Sequence, residues 1–439
     1  MKLIKESYKY LLTLSLLTLM ACTTDKPKID PKLEYKDFIQ EETIKADSSV
    51  AAITIPTAEE NQSWNSSNFS LLDIPENIAT TADINKLNVK NYRLYSGSSD
   101  ANHTRTVVIH GDSIFALSDN ILYSYELASP NKLKWSVTVS MNGKNLIGGG
   151  IYAQDKYLAV TSGSKDLVLL DASSGNILWT YTLMNISRST PLIYKNLVFI
   201  NTVDNSMYAI DLNTGFLKWI IKEAHEKLGF LGASSPEAFK ETIIMPFSSG
   251  KLAALNIETG QAKWSASLSL GIGNKSYVND IDIVPVIKKD TVFLSSLNGI
   301  LYSIDANTGS LNWSNPHAGG HSQIWVADDY IYTINKNNQV LALHKKSGTI
   351  NWIYDLEPQN IKKKESLFFD DPYYTFKGPT MIGGYLYIVS SNGSLIIIDP
   401  KSGKLASNLG VSRNIYSPSL AVGNKIYLIN ESGVLSVVD

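Results

Sequence analysis

One cysteine, Cys22, occurs in 439 residues, so no disulfide can form within this chain. Strong charge of either sign is also missing. Thirty-nine Lys and Arg stand against 41 Asp and Glu, and a pI near 6.3 gives no electrostatic case for nucleic acid. No G-x-S-x-G, H-E-x-x-H or P-loop is present, which removes the commonest hydrolase, zinc-protease and nucleotide signatures. The one long apolar run, LLTLSLLTLM at 11–20, is too short to span a bilayer as a stable helix. A sustained helical period is absent as well. What remains is a chain with 44% hydrophobic and 18% charged residues, suited to a large all-β core.

A nine-residue phrase, D-x-x-T/S-G-x-x-x-W, recurs along it. The copies read LVLLDASSGNILW (167–179), MYAIDLNTGFLKW (207–219), LAALNIETGQAKW (252–264), LYSIDANTGSLNW (301–313), VLALHKKSGTINW (340–352) and LIIIDPKSGKLAS (395–407). A looser copy, LYSYELASPNKLKW, ends at Trp135 with one extra residue. In each, an alternating apolar run enters a Gly-containing turn and a second short run ends in Trp, which is a β-hairpin pattern. A repeat period of about 40–50 residues holds two further short runs, hence four strands per unit. Four-stranded units repeated radially make a β-propeller.

The glycines fall where a tight hairpin needs positive φ. The Asp that precedes each turn is a short acceptor for nearby backbone N–H groups. Trp135, Trp179, Trp219, Trp264, Trp313 and Trp352 are expected to fill the wedges between neighbouring sheets, each indole N–H finding an acceptor there. Trp64 lies upstream of the first phrase, and Trp325 is placed differently.

The sequence ends at GVLSVVD (433–439), which superposes on GILYSID (299–305) just before its turn. An open blade would leave an unpaired edge. The alternating segment NYRLYSG (91–97) is expected to supply the missing strand, with Tyr95 one period before Trp135. Seven phrases and one composite unit then give eight four-stranded blades, the N-terminal strand pairing with the C-terminal blade. The longest gap between phrases places a large loop at 357–377.

Residues 1–21 read as a signal peptide: Lys2, Lys5 and Lys9, an apolar run, then Leu19-Met20-Ala21-Cys22. This tetrapeptide resembles the bacterial lipobox, which implies lipidation of Cys22. Thr23 in the next position resembles outer-membrane sorting. Polar residues with Pro27, Pro31 and Pro56 make 22–60 a tether, with a short helix at 33–46, and leave 61–439 for the propeller.

Few constellations suggest chemistry. His317 and His321 flank Gly319-Gly320 without further ligand spacing, and no catalytic or metal-ligating set is assigned. Gly148-Gly149-Gly150 precedes a strand, so it is a turn and not a phosphate cradle. Asp328-Asp329 and Asp370-Asp371 read as turn and loop residues. Asp280 and Asp282, in NDIDIVPVI, share one face of a strand entry at period two.

The phrase resembles the repeat named after pyrroloquinoline quinone, found in eight-bladed quinoprotein dehydrogenases and in BamB-type lipoproteins of the outer-membrane β-barrel assembly machinery. The dehydrogenase resemblance would imply a quinone stacked on a disulfide of adjacent cysteines, with calcium beside a catalytic Asp. No cysteine lies in the propeller to build that cradle. The BamB-type resemblance spans lipobox, tether, eight units and the phrases at 230–255 and 279–287. It implies a non-enzymatic scaffold without cofactor, held at the periplasmic face of the outer membrane. Its partners would be the POTRA domains of BamA, other Bam subunits and nascent outer-membrane proteins. In that family an Asp-x-Asp and a Leu-x-Leu-Arg stretch carry the BamA contact. Asp280 and Asp282 match the first. In LMNISRSTP (183–191), Arg188 and Ile186 are the nearest matches to the second, without its Leu pair. The other readings are a quinone-dependent periplasmic dehydrogenase and a surface ligand-binding or adhesion propeller.

Overall fold

A computed structural model describes residues 44–47, 52–68, 70, 72, 74–95, 105–140, 148–223, 234–268, 284–296, 298–356 and 375–439. Cys22, residues 33–43, Asp280, Asp282 and most of the 357–377 loop lie outside these.

The described strands form eight four-stranded antiparallel sheets arranged as the blades of a propeller. Blades one to seven span 105–138, 150–182, 192–222, 237–267, 286–315, 325–355 and 376–410; blade eight combines 420–438 with Val89–Arg93. First strands of successive blades lie side by side around the axis. Second strands such as Leu197–Asn201 and Thr242–Pro246 are buried along their whole length, sandwiched between neighbouring blades. Fourth strands such as Ile177–Thr182 alternate, because only one side of the outermost strand meets a neighbour. Phe199 and Ile210 of blade three thereby join Leu169 of blade two and Met245 of blade four in one continuous core.

Sequential antiparallel strands put alternate connections at opposite ends of each blade. The turns between first and second strands, and between third and fourth, define one rim, here the hairpin rim. The turns between second and third strands and the passages to the next blade define the crossover rim.

Blade eight closes as expected, with a shifted register. Its fourth strand is Val89–Arg93, paired from Val89 opposite Val438 to Arg93 opposite Val434. The strand starts two residues before Asn91 because Asn88 and Asp439 exchange backbone hydrogen bonds of 2.9 and 3.1 Å at its end. Tyr95 consequently does not take the Trp position. Lys90 does, opposite Val437, as Trp313 stands opposite Ser303 in blade five. Tyr95 instead stacks on Tyr123 of blade one at 6.0 Å.

Residues before this strand run around the hairpin rim. Asn61 donates from Nδ2 to Ala421 O at 2.7 Å in blade eight and accepts from Gly423 N–H. Trp64 pairs both ways with Ile109 of blade one, and Asn65 and Ser67 bond Ala153 and Ile151 of blade two. Ser67 also reaches Thr190 in the passage entering blade three, Ser70 reaches Glu237 of blade four, and Lys288 of blade five donates to Ile74 O. Glu76 accepts from Trp325 Nε1 and Asp328 N–H of blade six, at 2.8 and 2.7 Å. Ile78 pairs with Met381 and Gly383 of blade seven, and Thr80 returns to blade eight at Asn424 O. This strap therefore makes one full circuit over the inner strands. Hydrogen bonds to the propeller begin before residue 61, since Thr54 Oγ1 donates to Asp328.

Candidate functional site

Between blades the six tryptophans share one geometry. Each stands opposite the residue at which a β-bulge shifts the fourth strand, as Trp179 does opposite Leu169. The bulge adds a residue and turns the indole toward the next blade. There it covers the turn glycine: a Cβ on Gly215 would meet Trp179 Cγ at 2.8 Å, and one on Gly403 would meet Trp352 Cδ2 at 2.6 Å. The same contact joins Trp135 to Gly175, Trp219 to Gly260, Trp264 to Gly309 and Trp313 to Gly348. Each indole N–H donates to a carbonyl of that turn, from Trp135 on Ser173 O to Trp352 on Pro400 O, within 2.8–3.1 Å. Positive φ, 67–76° at these six glycines, is thus one of two reasons for Gly. The close ring is the other, and spacing alone did not reveal it.

The rims differ in what they leave free. Residues 183–191 pass from blade two to blade three on the crossover rim. Blade two holds this loop through Leu183 N–H to Lys165 O at 2.7 Å and Ser187 N–H to Ser164 O at 2.9 Å. Blade three holds it through Val203 N–H to Ile186 O at 3.1 Å and Ser187 Oγ to Asn201 O at 2.7 Å. Met184 N–H donates to the Tyr208 hydroxyl, whose pKa burial pushes up, so it stays a neutral phenol. Beside it, burial raises the Asp204 pKa, but hydrogen bonds from Thr202 and Lys222 outweigh that and lower it overall. Lys222 sits 3.1 Å away. A loop tied at so many points presents a fixed surface.

Gly149 N–H donates to Arg188 O at 2.8 Å. A Cβ on Gly148 would lie 2.6 Å from Arg188 Cβ, and one on Gly149 would lie 2.4 Å from Thr161 O. The glycine run is a turn that lets the Arg188 backbone approach. Arg188 and Ile186 are half-buried, and Met184 is 75% exposed. Asp280 and Asp282 belong to the passage from Ser267 of blade four to Val286 of blade five, outside the described residues. The sequence reading did not single out the exposed apolar side chains of the two flanking blades. Six of the nine large apolar side chains exposed among the described residues are Ile177, Leu178, Met184, Phe216, Leu217 and Ile220, all on blades two and three or the loop joining them. The rule that fourth strands face solvent on one side was the available signal. His317 N–H is bonded to Asn315 Oδ1 in a turn, and among the described residues no group of three acidic, His or Cys side chains could hold a metal ion.

The family model for the outer membrane protein assembly factor BamB matches residues 131–354. A BamB of Yersinia pestis is 24% identical over 336 residues, covering 74% of this chain and 81% of that protein. The crystal structure of BamB from Moraxella catarrhalis superposes with a TM-score of 0.64 at 20% identity, over 81% of this chain and all of that one. Quinohemoprotein alcohol dehydrogenase from Comamonas testosteroni gives the same TM-score at 12% identity, over 87% of this chain and 81% of its own. These structural likenesses establish the eight-bladed fold, which two different activities share.

Proposed function

The chain belongs to the family of the outer membrane protein assembly factor BamB, and from that membership we propose that it is a non-enzymatic scaffold of outer-membrane β-barrel assembly. It binds the POTRA domains of a BamA-type partner through the crossover rim. Arg188 and Ile186 contribute from the 183–191 loop, and Asp280 and Asp282 from the passage two blades on. The carrying observation is that loop, fastened by both flanking blades and bordered by exposed Met184. A preformed surface with a cationic side chain and an apolar neighbour suits a partner interface, since little ordering is needed on binding. Among the described residues the strap's hydrogen bonds lie on the inner strands and their hairpin-rim turns, apart from Ser67 Oγ, which meets Thr190 Oγ1 at the blade-three end of this loop. Cys22 carries the lipid that holds the protein at the periplasmic face of the outer membrane, with residues from 23 onward as the tether. The sequence supports the non-enzymatic reading, for Cys22 leaves no cysteine to form a quinone-stacking disulfide.

The test is binding of purified wild type and variants to the partner's POTRA domains. Arg188→Ala, and separately Asp280→Ala with Asp282→Ala, should weaken binding at least about tenfold, the usual cost of removing one member of a desolvated charged pair. Unfolding midpoints measured alongside separate lost contact from lost fold. Unchanged affinity in both variants would place the contact elsewhere, with the 357–377 loop as the next candidate. For the anchor, Cys22→Ala should leave unlipidated precursor that fractionates away from the outer membrane. Bound quinone and calcium in the purified protein would overturn the non-enzymatic reading.

A further inference from the structure

Two blade seams lack the tryptophan contact. In blade seven Ser407 stands opposite Ile397, where blades one to six have Trp. In blade eight Lys90 takes that place. The seams between blades seven and eight, and between eight and one, are therefore without an indole seated on a turn glycine among the described residues. Among the described residues the strap's backbone-to-backbone bonds to the propeller lie on blades seven, eight, one and two, a stretch that spans both seams. On blade two Ser67 N–H donates to Ile151 O at 3.1 Å and Ala153 N–H to Asn65 O at 2.8 Å. Ile78 N–H donates to Met381 O at 3.0 Å and Gly383 N–H to Ile78 O at 2.8 Å, on blade seven. Gly423 N–H donates to Asn61 O at 2.9 Å on blade eight. Trp64, fully buried, exchanges two backbone bonds with Ile109 on blade one. On blades three to six the strap's bonds named above all involve a side chain.

The strap also fastens to itself beside these seams. Glu59 N–H donates to Asn77 O at 2.9 Å, and Ala79 N–H to Glu59 O at 2.7 Å. Asn77 is the buckle. It is buried, its Nδ2 donates to Pro56 O at 2.8 Å, and its Oδ1 accepts from Gly384 N–H of blade seven at 2.9 Å.

We propose that the inner edges of blades seven, eight, one and two form a strand-edge peptide-binding groove whose ligand is residues 56–67 and 77–80 of the same chain. The bound segment closes the ring where tryptophan does not. The chemistry is β-augmentation: inner-strand N–H and C=O groups at the axis have no neighbouring strand and accept an extended segment. Binding energy then resides in the groove and not in the covalent link at residues 81–88. This holds whichever partner meets the crossover rim.

Cutting the chain after folding tests it. A specific protease site is built into the full-length protein within residues 82–86, where Asp83, Asn85 and Lys86 are exposed, and the folded protein is cleaved. The N-terminal fragment should co-elute with the ring on gel filtration. The amides of Ile109, Gly383 and Gly423 should keep slow hydrogen exchange. In the cleaved protein, Asn77→Ala should speed fragment release at least about tenfold, because the bond from Gly384 that joins fragment to ring and the bond to Pro56 that shapes the fragment are lost together. Release of the wild-type fragment under native conditions, whether or not the ring survives, overturns the proposal. So does an Asn77→Ala fragment that leaves no faster than wild type. Intact blades with unchanged circular dichroism would show that Asn77→Ala acts on the groove and not on the fold.

Discussion

Six seams of this propeller and the two that flank blade eight solve the same packing problem differently. In the six, one large ring, one bare glycine and one indole hydrogen bond join blade to blade, and all three come from successive copies of one phrase. Around blade eight the phrase is incomplete, because its fourth strand comes from the other end of the chain. There, contacts distant in sequence take over. Val89–Arg93 completes the sheet, Tyr95 stacks on Tyr123, and Tyr125 donates its hydroxyl to Leu94 O. Burial pushes that hydroxyl up to about 12, so it remains a donor at neutral pH. Local repeats can propagate a ring but cannot finish it, and the closing seams depend on segments of low sequence proximity.

The largest effect should come from breaking the closing side. Deleting residues 88–95 leaves the edge of Val434–Val438 unpaired and removes the tyrosine stack at the eight–one seam. The expected outcome is aggregation and loss of cooperative unfolding, read by gel filtration and urea denaturation. A soluble ring with an unchanged midpoint would show that the eighth blade closes without this strand.

The tryptophan side breaks by smaller steps. Trp352, 7% exposed, should cost about 3–5 kcal/mol when changed to Ala. Ser407→Ala, at the equivalent position of blade seven, should stay within about 0.5 kcal/mol. Equal effects in urea unfolding would erase the distinction between the two kinds of seam. Gly215→Ala should fall between them at about 2 kcal/mol, combining positive φ with a methyl forced against Trp179. Trp179→Ala in the same chain should relieve the second part of that cost, so the two changes should be less than additive.

The repeat phrase made the blades legible, because a hairpin's turn residues and its terminal ring are near in sequence and constrained together. The bulge opposite Leu169 was not legible, since Leu178 looks like any other strand residue until its partner strand is known. Closure could be inferred from an unfinished last phrase, but alternation alone allowed a two-residue slip that only the Asn88–Asp439 pair fixes. The strap was hidden for a different reason. Ser67 and Ser70 act through single hydroxyls on different blades, and a polar stretch with no period reads as tether. The 183–191 loop was visible only through family likeness. Its rigidity depends on Ser164, Asn201 and Val203, which no local pattern connects to it.

The smallest expected effect sharpens what the phrase itself contributes. Asp171 accepts hydrogen bonds from the Ser173 hydroxyl at 2.6 Å and from the Ser174 N–H and hydroxyl, both at 2.9 Å. The Ser173 hydroxyl first, and then the Ser174 N–H, hold the carboxyl at about 2. Its unfolded value is about 3.9, so folding favours the ionised form. The resulting stabilisation is complete above the unfolded pKa and is lost as pH falls from about 4 through about 2. Blade four supplies a natural comparison, for Asn256 accepts from Glu258 N–H and Thr259 N–H at 2.9 and 3.0 Å without any carboxyl to protonate. Asp171→Asn should therefore keep the turn and change stability little at pH 7. The difference between variant and wild type should shift in favour of the variant between pH 4 and pH 2, read from urea midpoints at each pH. Other carboxylates titrate in the same range, which is why the difference between the two proteins carries the result. A difference that stays constant across that range would show that the Asp171 turn is held by its backbone geometry, with the charge contributing nothing.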